Sequence, residues 1–296
     1  MNIPRKSVIK NLFISRFEGG YFGQLDYSQI ELRIAATLSK DPFLIDAYMS
    51  GVDIHKYTAA LMYGIPIESV TKEQRQAAKT INFGNIYGMG PEALAAQLKI
   101  SVDGAKEFLN KYFAVFEILK QWINLQRKEI VKCGYAKSIL GRVRDFSEIL
   151  KWVKPGTTKV QEHLPKYIRR KFYDCLREGV NHKIQSPAAD LTHFSVRYLQ
   201  GYLTDNNCKS CILGTVYDSI MLDLHPDEVG EILTTAKMIM EGIPELERLD
   251  WITIPILAEV EIGRNWGNLH KVIFEGENKS VCGDNGLQVP YFDIEV

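Results

Sequence analysis

Leu25-Asp26-Tyr27-Ser28-Gln29-Ile30-Glu31-Leu32-Arg33 is the stretch around which this chain is organised. Upstream, Gly20-Tyr21-Phe22-Gly23-Gln24-Leu25 is a short aromatic and apolar run behind a Gly-Gly turn, the pattern of a buried strand. Downstream, Ile30, Ile34, Ala35 and Leu38 recur at helical spacing, and Ser28 followed three residues later by Glu31 has the form of a capping box. Asp26 is therefore expected where a strand ends and a helix begins, a position from which carboxylates meet ligands.

The 296 residues are 46% apolar and 24% charged, an ordinary soluble composition with room for one large or two modest domains. No apolar run reaches the length of a membrane span, and the first residues carry no signal-peptide pattern. The five cysteines (Cys133, Cys175, Cys208, Cys211, Cys282) are odd in number and irregularly spaced, which suits reduced thiols inside a cell. Cys208-x-x-Cys211 has no second pair with which to close a four-ligand zinc site. The net charge is zero, but residues 127–183 hold 15 Lys/Arg against 6 Asp/Glu and residues 184–296 hold 7 against 18. A basic middle suits a phosphate backbone and an acidic end suits cations; two solvated faces without a partner fit the same counts.

A second pattern runs from Lys72 to Gly90, KEQRQAAKTINFGNIYGMG. Its alanines and long side chains favour a helix, and Thr71 with Gln74 makes a capping box at its start. Arg75, Lys79, Phe83 and Tyr87 are spaced by four and climb one face in order. Two cations, a flat ring and a phenol in that order match what a nucleoside triphosphate requires, from polyphosphate to sugar and base. An amphipathic surface helix with Phe83 and Tyr87 in a core has the same spacing. Just before it, Asp53-Ile54-His55-Lys56 leads into an apolar helical run, Tyr57 to Tyr63, stopped by Gly64 and Pro66.

Further on, Pro91 to Leu98 and Ser101 to Lys132 read as helices, the second with Phe108, Tyr112, Phe116, Leu119 and Ile123 as its apolar stripe. Gly134-Tyr135 and Gly141-Arg142-Val143-Arg144 mark a turn and a basic loop, and Lys151 to Lys171 reads as a basic insertion facing DNA, a partner or solvent. Arg177, Asn181 and Gln185 share a helical face, where neutral amides suit minor-groove acceptors that are alike for all base pairs. Caps or tertiary hydrogen bonds account for them equally. Cys211 to Leu224 holds two β-prone runs around Tyr217-Asp218-Ser219, a tight hairpin presenting Asp218 at its tip. An amphipathic helix over 227–241 and a strand over Ile254 to Val260 complete the pattern.

These three stretches resemble, in order and approximate spacing, motifs A, B and C of the family A DNA polymerases, the polymerase I group, over residues 2–270. Motif B matches at every fixed position (Arg75, Lys79, Phe83, Gly84, Tyr87, Gly88), whereas motif C has Tyr217 and Ser219 where the family usually has histidine and glutamate. Glu261 to Gly267 is similar to the family's closing segment, and Asn2-Ile3-Pro4-Arg5 to a stretch of its phage-type members.

The resemblance implies an α+β fold: a right-hand polymerase palm built on an antiparallel sheet, with helical fingers and without a thumb. Residues 1–50 would form the N-terminal part of the palm and 51–135 the fingers. Residues 136–270 would form the rest of the palm, with the basic insertion at about 148–172, and 271–296 a tail. Asp293-x-Glu295 resembles the first motif of a proofreading exonuclease, yet no chain follows to build one, so a tail or docking peptide is expected.

The implied reaction is template-directed transfer of a deoxynucleotide to a primer 3′-hydroxyl. Asp26 and Asp218 would hold two Mg²⁺ ions with the backbone carbonyl of Tyr27, and Lys79 joins these aspartates among the catalytic groups. Gln29, His55, Arg75 and Lys79 would grip the triphosphate, Phe83 would pack beside the sugar, and Glu31 with Tyr87 would fill the space of a ribose 2′-hydroxyl. Arg177, Asn181, Gln185 and Tyr217 would contact primer-template DNA, and Arg5 or Lys6 the primer strand. The chain is expected to be the palm and fingers part of a split or truncated enzyme, with primer-template DNA and a dNTP as partners and, if split, a second chain supplying the thumb and an exonuclease. The expected place is the cytoplasm of a bacterial or phage-infected cell, with no membrane contact. The alternatives are a single-subunit RNA polymerase-like nucleotidyltransferase and a non-catalytic DNA-binding subunit that kept the fold.

Overall fold

The computed structural model describes residues 7–86 and 88–274, with backbone alone for 85–86 and 287–289. In chain order the strands are β1 (Tyr21–Tyr27), β2 (Tyr135–Lys137), β3 (Val143–Asp145), β4 (Cys211–Val216), β5 (Ser219–Leu224), β6 (Ala258–Gly263), β7 (His270–Phe274) and β8 (Leu287–Val289). The α-helices are α1 (Ile30–Ser39), α2 (Pro42–Met49), α3 (Ile54–Tyr63), α4 (Lys72–Ile86), α5 (Pro91–Leu98), α6 (Val102–Val115), α7 (Glu117–Cys133), α8 (Lys166–Asp205) and α9 (Val229–Leu246). This is the α+β class expected. Two compact units emerge: one from the described residues within Met1–Ile30, Ala189–Asp250 and Pro255–Val296, the other from Glu31–Ala188 with Trp251–Ile254.

The first unit is a sheet in the order β4-β5-β1-β6-β7, antiparallel throughout, with β8 added parallel to β7. Side chains alternate across each strand. Gly23, Leu25 and Tyr27 of β1, Ile220, Leu222 and Leu224 of β5, and Val260 and Ile262 of β6 are on one face of the sheet, which α9 covers. Of α9, Ile232, Leu233, Ala236, Met240 and Ile243 are buried. A Cβ on Gly23 would stand 2.8 Å from Leu224 Cδ1, so only glycine leaves room there.

The strand boundaries differ from the sequence pattern in two places. β6 begins at Ala258, after Pro255, which has no N–H to give to a ladder, and runs on to Gly263. There a side chain is excluded, because a Cβ would lie 2.0 Å from the Asn268 carbonyl. Residues 271–274, assigned to the tail from sequence, lie in β7, where Val272 and Phe274 are buried. Most of residues 275–296, including the Asp293-x-Glu295 motif, lie outside the described residues.

The second unit is helical apart from the β2–β3 hairpin, which the sequence suggested only as a turn and loop. The expected helix over 101–132 is two helices, α6 and α7, parted at Phe116, whose φ and ψ of −100° and 58° leave the helical region. Asp41 accounts for the restart. Its carboxylate caps α2 through Phe43 and Leu44 N–H (3.1 and 3.3 Å) and also accepts the Leu119 N–H at 3.0 Å, in the first turn of α7. The capping box at the start of α4 is present in both directions, Thr71 N–H to Gln74 Oε1 at 2.9 Å and Gln74 N–H to Thr71 Oγ1 at 3.2 Å. Part of the basic insertion folds on itself: Val153 and Val160 form a β-bridge, Trp152 is buried, and Lys171 reaches Glu148 at 2.7 Å.

These two caps differ in burial, and their removal should cost different amounts. Thr71→Ala removes an exposed cap and is expected to cost about 1 kcal/mol. Asp41→Ala leaves buried N–H groups of two helices without an acceptor and should cost about 3 kcal/mol, with Asp41→Asn intermediate. Urea unfolding of the three variants checks the order; equal losses at the two sites would contradict the double role of Asp41.

Candidate active site

Asp26 lies one residue from the end of β1, and the sheet register pairs it with Ser219 of β5 on one side and Glu259 of β6 on the other. Paired residues share a face, so Asp26 and Gln24 point to the side of the sheet opposite α9, with Glu259 and Glu261 beside them. Val216 pairs with Ser219, which makes Tyr217 and Asp218 the two-residue loop of the β4–β5 hairpin. Tyr217 holds a left-handed φ of 58° and is 82% exposed, and the Ser219 hydroxyl closes the loop by donating to Val216 O at 2.8 Å. Ser219 therefore serves the turn and supplies no carboxylate.

Asp26 and Asp218 are brought together closely enough for their carboxyl groups to hydrogen-bond. Burial raises the pKa of Asp26 first, the neighbouring Asp218 second and the more distant charges of Glu259 and Glu261 further, to about 7. Burial also raises the pKa of Asp218, so the two carboxyl groups titrate as a pair that keeps a proton above the usual carboxylate range. The Tyr27 side chain points to the α9 side, its hydroxyl 2.7 Å from Ser195 Oγ and donating to Met240 O at 2.9 Å. Any ligand role for Tyr27 belongs to its backbone carbonyl. Gln29 takes a left-handed φ of 56° immediately before α1, and the Ser28 N–H is held by Leu257 O at 2.8 Å.

In the helical unit, α4 turns Ala78, Ile81 and Asn82 inward and leaves Lys79 exposed, with Arg75 and Phe83 partly so. The Arg75 Nε donates to Asp53 Oδ2 at 2.7 Å. Asp53 also caps α3 through His55 and Lys56 N–H at 2.9 and 3.0 Å. Burial would raise the Asp53 carboxyl, but Arg75 and these N–H groups outweigh it and hold its pKa below the usual carboxylate range. His55 is 2% exposed, its Nδ1 3.0 Å from Asn82 Nδ2 and its ring 5.6 Å from the Phe83 ring. Burial pushes its pKa down to about 4; Asp53 opposes the shift, and Arg75 and Lys79 add to it. The ring is neutral and enclosed, so it braces the Arg75–Phe83 face and offers no charge to solvent.

Gln185 is exposed on α8, with Arg177 and Asn181 half-buried two turns and one turn before it; Arg177 is ion-paired to Asp174. Glu31 is half-buried in the first turn of α1. Arg5, Lys6 and Tyr87 lie outside the described residues. Sequence patterns give Asn82 and Glu259 no part, and name Asp53 and Glu261 without assigning them a role at the site. Asp53 carried the signal of an N-cap before Ile54, and the alternation Ala258-Glu259-Val260-Glu261-Ile262 was that of a strand with one acidic face.

Known proteins resemble this chain in sequence and in fold. Residues 1–268 match the DNA polymerase family A. The chain is 34% identical to a DNA polymerase of Bacillus phage SP01 over 90% of its own length and 28% of that protein's. To the thermostable DNA polymerase I of Thermus aquaticus it is 33% identical, over 90% of this chain and 29% of the relative. It thus spans under a third of the length of these curated relatives. Among solved structures it is similar to the POL domain of Pol1 from M. smegmatis in complex with DNA primer-template and dNTP. That match has a TM-score of 0.75 and 29% identity, over 90% of this chain and 44% of that one. With paired aspartates on the open face of an antiparallel sheet and a family match over nearly its whole length, the chain belongs to the DNA polymerase family A.

Proposed function

We propose that this chain catalyses template-directed transfer of deoxynucleotides from dNTPs to a primer 3′-hydroxyl, with release of pyrophosphate, inside a bacterial or phage-infected cell. Among the described residues no helix is long and apolar enough to cross a membrane. The observation that carries the proposal is the contact between Asp26 and Asp218, two carboxyl groups that compete for one proton on a polar sheet face. In this proposal residues 1–50 and 136–270 act as palm and 51–135 as fingers.

Such a pair fits Mg²⁺, which is commonly bound by one or two carboxylates together with waters and substrate phosphates. Asp26, Asp218 and the Tyr27 carbonyl would hold two Mg²⁺, which supply activation of the primer hydroxyl and neutralisation of the leaving pyrophosphate. The rest is positioning and charge. Arg75, Lys79 and Gln29 grip the triphosphate, and His55 supports the Arg75–Phe83 face from within. Phe83 packs beside the sugar. Glu31 and Tyr87 occupy the space a 2′-hydroxyl needs. Arg177, Asn181, Gln185 and Tyr217 contact primer-template DNA, Tyr217 by its phenol in place of the usual imidazole, and Arg5 or Lys6 touches the primer.

Primer extension with Mg²⁺ is the direct test. Asp218→Ala and Asp26→Ala should each lower the rate at least about a thousandfold while primer-template binding persists. Normal extension by either variant removes the catalytic assignment, and DNA binding without extension by the unaltered chain favours the non-catalytic alternative.

The pH dependence has a defined sign. Asp26 binds a proton more tightly folded, with a pKa of about 7, than unfolded at 3.8, so without cation stability falls as pH rises between those values. Asp26→Asn should flatten that fall. Mg²⁺ needs the ionised pair, so it should raise the melting temperature above about pH 8 and hardly at all near pH 5, and less in Asp26→Asn. Calorimetry with and without Mg²⁺ reads both effects, and a Mg²⁺ response that ignores pH contradicts the assignment.

Glu31→Ala opens the sugar gate and should narrow discrimination between dNTP and rNTP by roughly ten- to a hundredfold. Preference for rNTP in the unaltered chain would instead support the RNA polymerase alternative.

A further inference from the structure

The helical unit contains a cavity of about 250 Å³ between the turn that follows α4 (Gly88, Met89, Gly90) and the side chains of Phe113, Lys120, Asn124 and Arg127. Lys120, Asn124 and Arg127 lie at positions i, i+4 and i+7 of α7, so they project from one face of that helix. No acidic side chain is among the described residues that line it.

Arg127 is the unusual member. It is half-buried, and among the described residues nothing accepts a hydrogen bond from its guanidinium. Its charged neighbour is a second cation: burial and then the Arg177 charge both press its pKa down. The Arg177 stem lies against the same turn, since a Cβ on Gly88 would stand 2.6 Å from Arg177 Cγ. Lys120 is exposed, has no carboxylate partner among the described residues and sits 5.6 Å over the Phe113 ring. A part-buried guanidinium that faces another cation and finds no acceptor among the described residues is unfavourable as it stands. An anion between them removes the penalty, and the planar fork of arginine matches a phosphate with two parallel bonds.

We propose that this cavity seats a backbone phosphodiester of DNA, bound by Arg127 and Lys120 with Arg177 at its rim. The assignment rests on the polymerase function proposed above and adds Arg127 and Lys120 to the groups that hold DNA. The cavity admits one phosphate with its sugar, and the bendable backbone of an unpaired strand enters such a recess more readily than a stiff duplex does, so an unpaired stretch is the occupant assigned. Phe113 and Met89 offer it apolar surface.

The test is fluorescence anisotropy with a labelled primer-template carrying a single-stranded overhang, read as a function of salt and without dNTP. Removing one cation that neutralises a phosphate of a single strand lowers the slope of log affinity against log salt by about 0.7. Arg127→Gln should show a reduction of that size and bind about tenfold more weakly. Arg127→Lys should keep the slope and lose part of the affinity, because the charge remains and the fork does not. The effect should be much smaller on a blunt duplex.

Thermal stability separates binding from scaffolding. Arg127→Gln and Arg127→Met should melt at or above the temperature of the unaltered chain, since a buried charge without an acceptor is removed. A melting temperature lowered by several degrees, or an unchanged salt slope, overturns the assignment. Protection by pyrophosphate alone, abolished in Arg127→Gln while DNA binding is unchanged, overturns it in favour of a small-anion site. An unaltered chain that extends primers while Arg127→Gln keeps its slope sinks the cavity assignment alone. An unaltered chain that neither binds DNA nor extends primers sinks both proposals.

Discussion

Two carboxylates set side by side repel each other, and water would separate them if the backbone allowed it. Here the backbone does not. Asp26 is fixed by ladder bonds to strands on both sides, and Asp218 is fixed in a two-residue loop whose ends are already paired. Burial weakens solvation of both, so the pair responds by holding a proton between them, with the Asp26 pKa raised to about 7. The apolar face under α9 supplies the rigidity: Leu25, Leu222 and Leu224 are wholly buried directly behind the acidic side. The fold thus holds the two carboxyl groups in a configuration that is unfavourable when both are ionised, as is common where a fold positions groups for chemistry.

The α4 face follows another logic. It leaves Lys79 exposed and Arg75 partly so, and a helix with long charged side chains on one side has to be anchored by the other. Ala78 and Ile81 provide the apolar part of that anchor. The polar part is a closed set in which Asn82 bridges His55 and Thr58, and Asp53 caps α3 while pairing with Arg75. Burial above all keeps His55 neutral, and the charges of Arg75 and Lys79, which a charged imidazole would face, add to the effect. The same economy recurs at Asp41, where one buried carboxylate starts two helices.

The charge map makes sense in these terms. The acidic surplus after residue 184 includes Asp218, Glu259 and Glu261, which gather at the sheet face around Asp26. The basic surplus of 127–183 divides. Lys171, Arg144 and Lys183 are engaged by Glu148, Glu178 and Glu129, as surface pairs that contribute little to stability. Arg127 has no such partner among the described residues.

Patterns of short range were legible in the chain itself. Helical periodicity and Gly, Pro and Ser/Thr signals located α3, α4 and α5 closely, including both bonds of the Thr71–Gln74 cap, because these depend on neighbours within four residues. The alternation around Tyr217-Asp218-Ser219 marked the hairpin for the same reason. Interactions between distant residues were not legible. The break at Phe116 depends on Asp41, far away in the chain, and the neutrality of His55 depends on burial and on cations from α4. The start of β6 depends on which strand it pairs with. That Asp26 stands at the end of a strand and Asp218 at the tip of a hairpin could be read from residue order, but that their carboxyl groups meet is a product of register and burial. Local sequence determined which groups are present and on which element each is carried. Tertiary packing decided which of them meet, because only folding brings distant segments within a hydrogen bond and removes the water that would otherwise screen their charges.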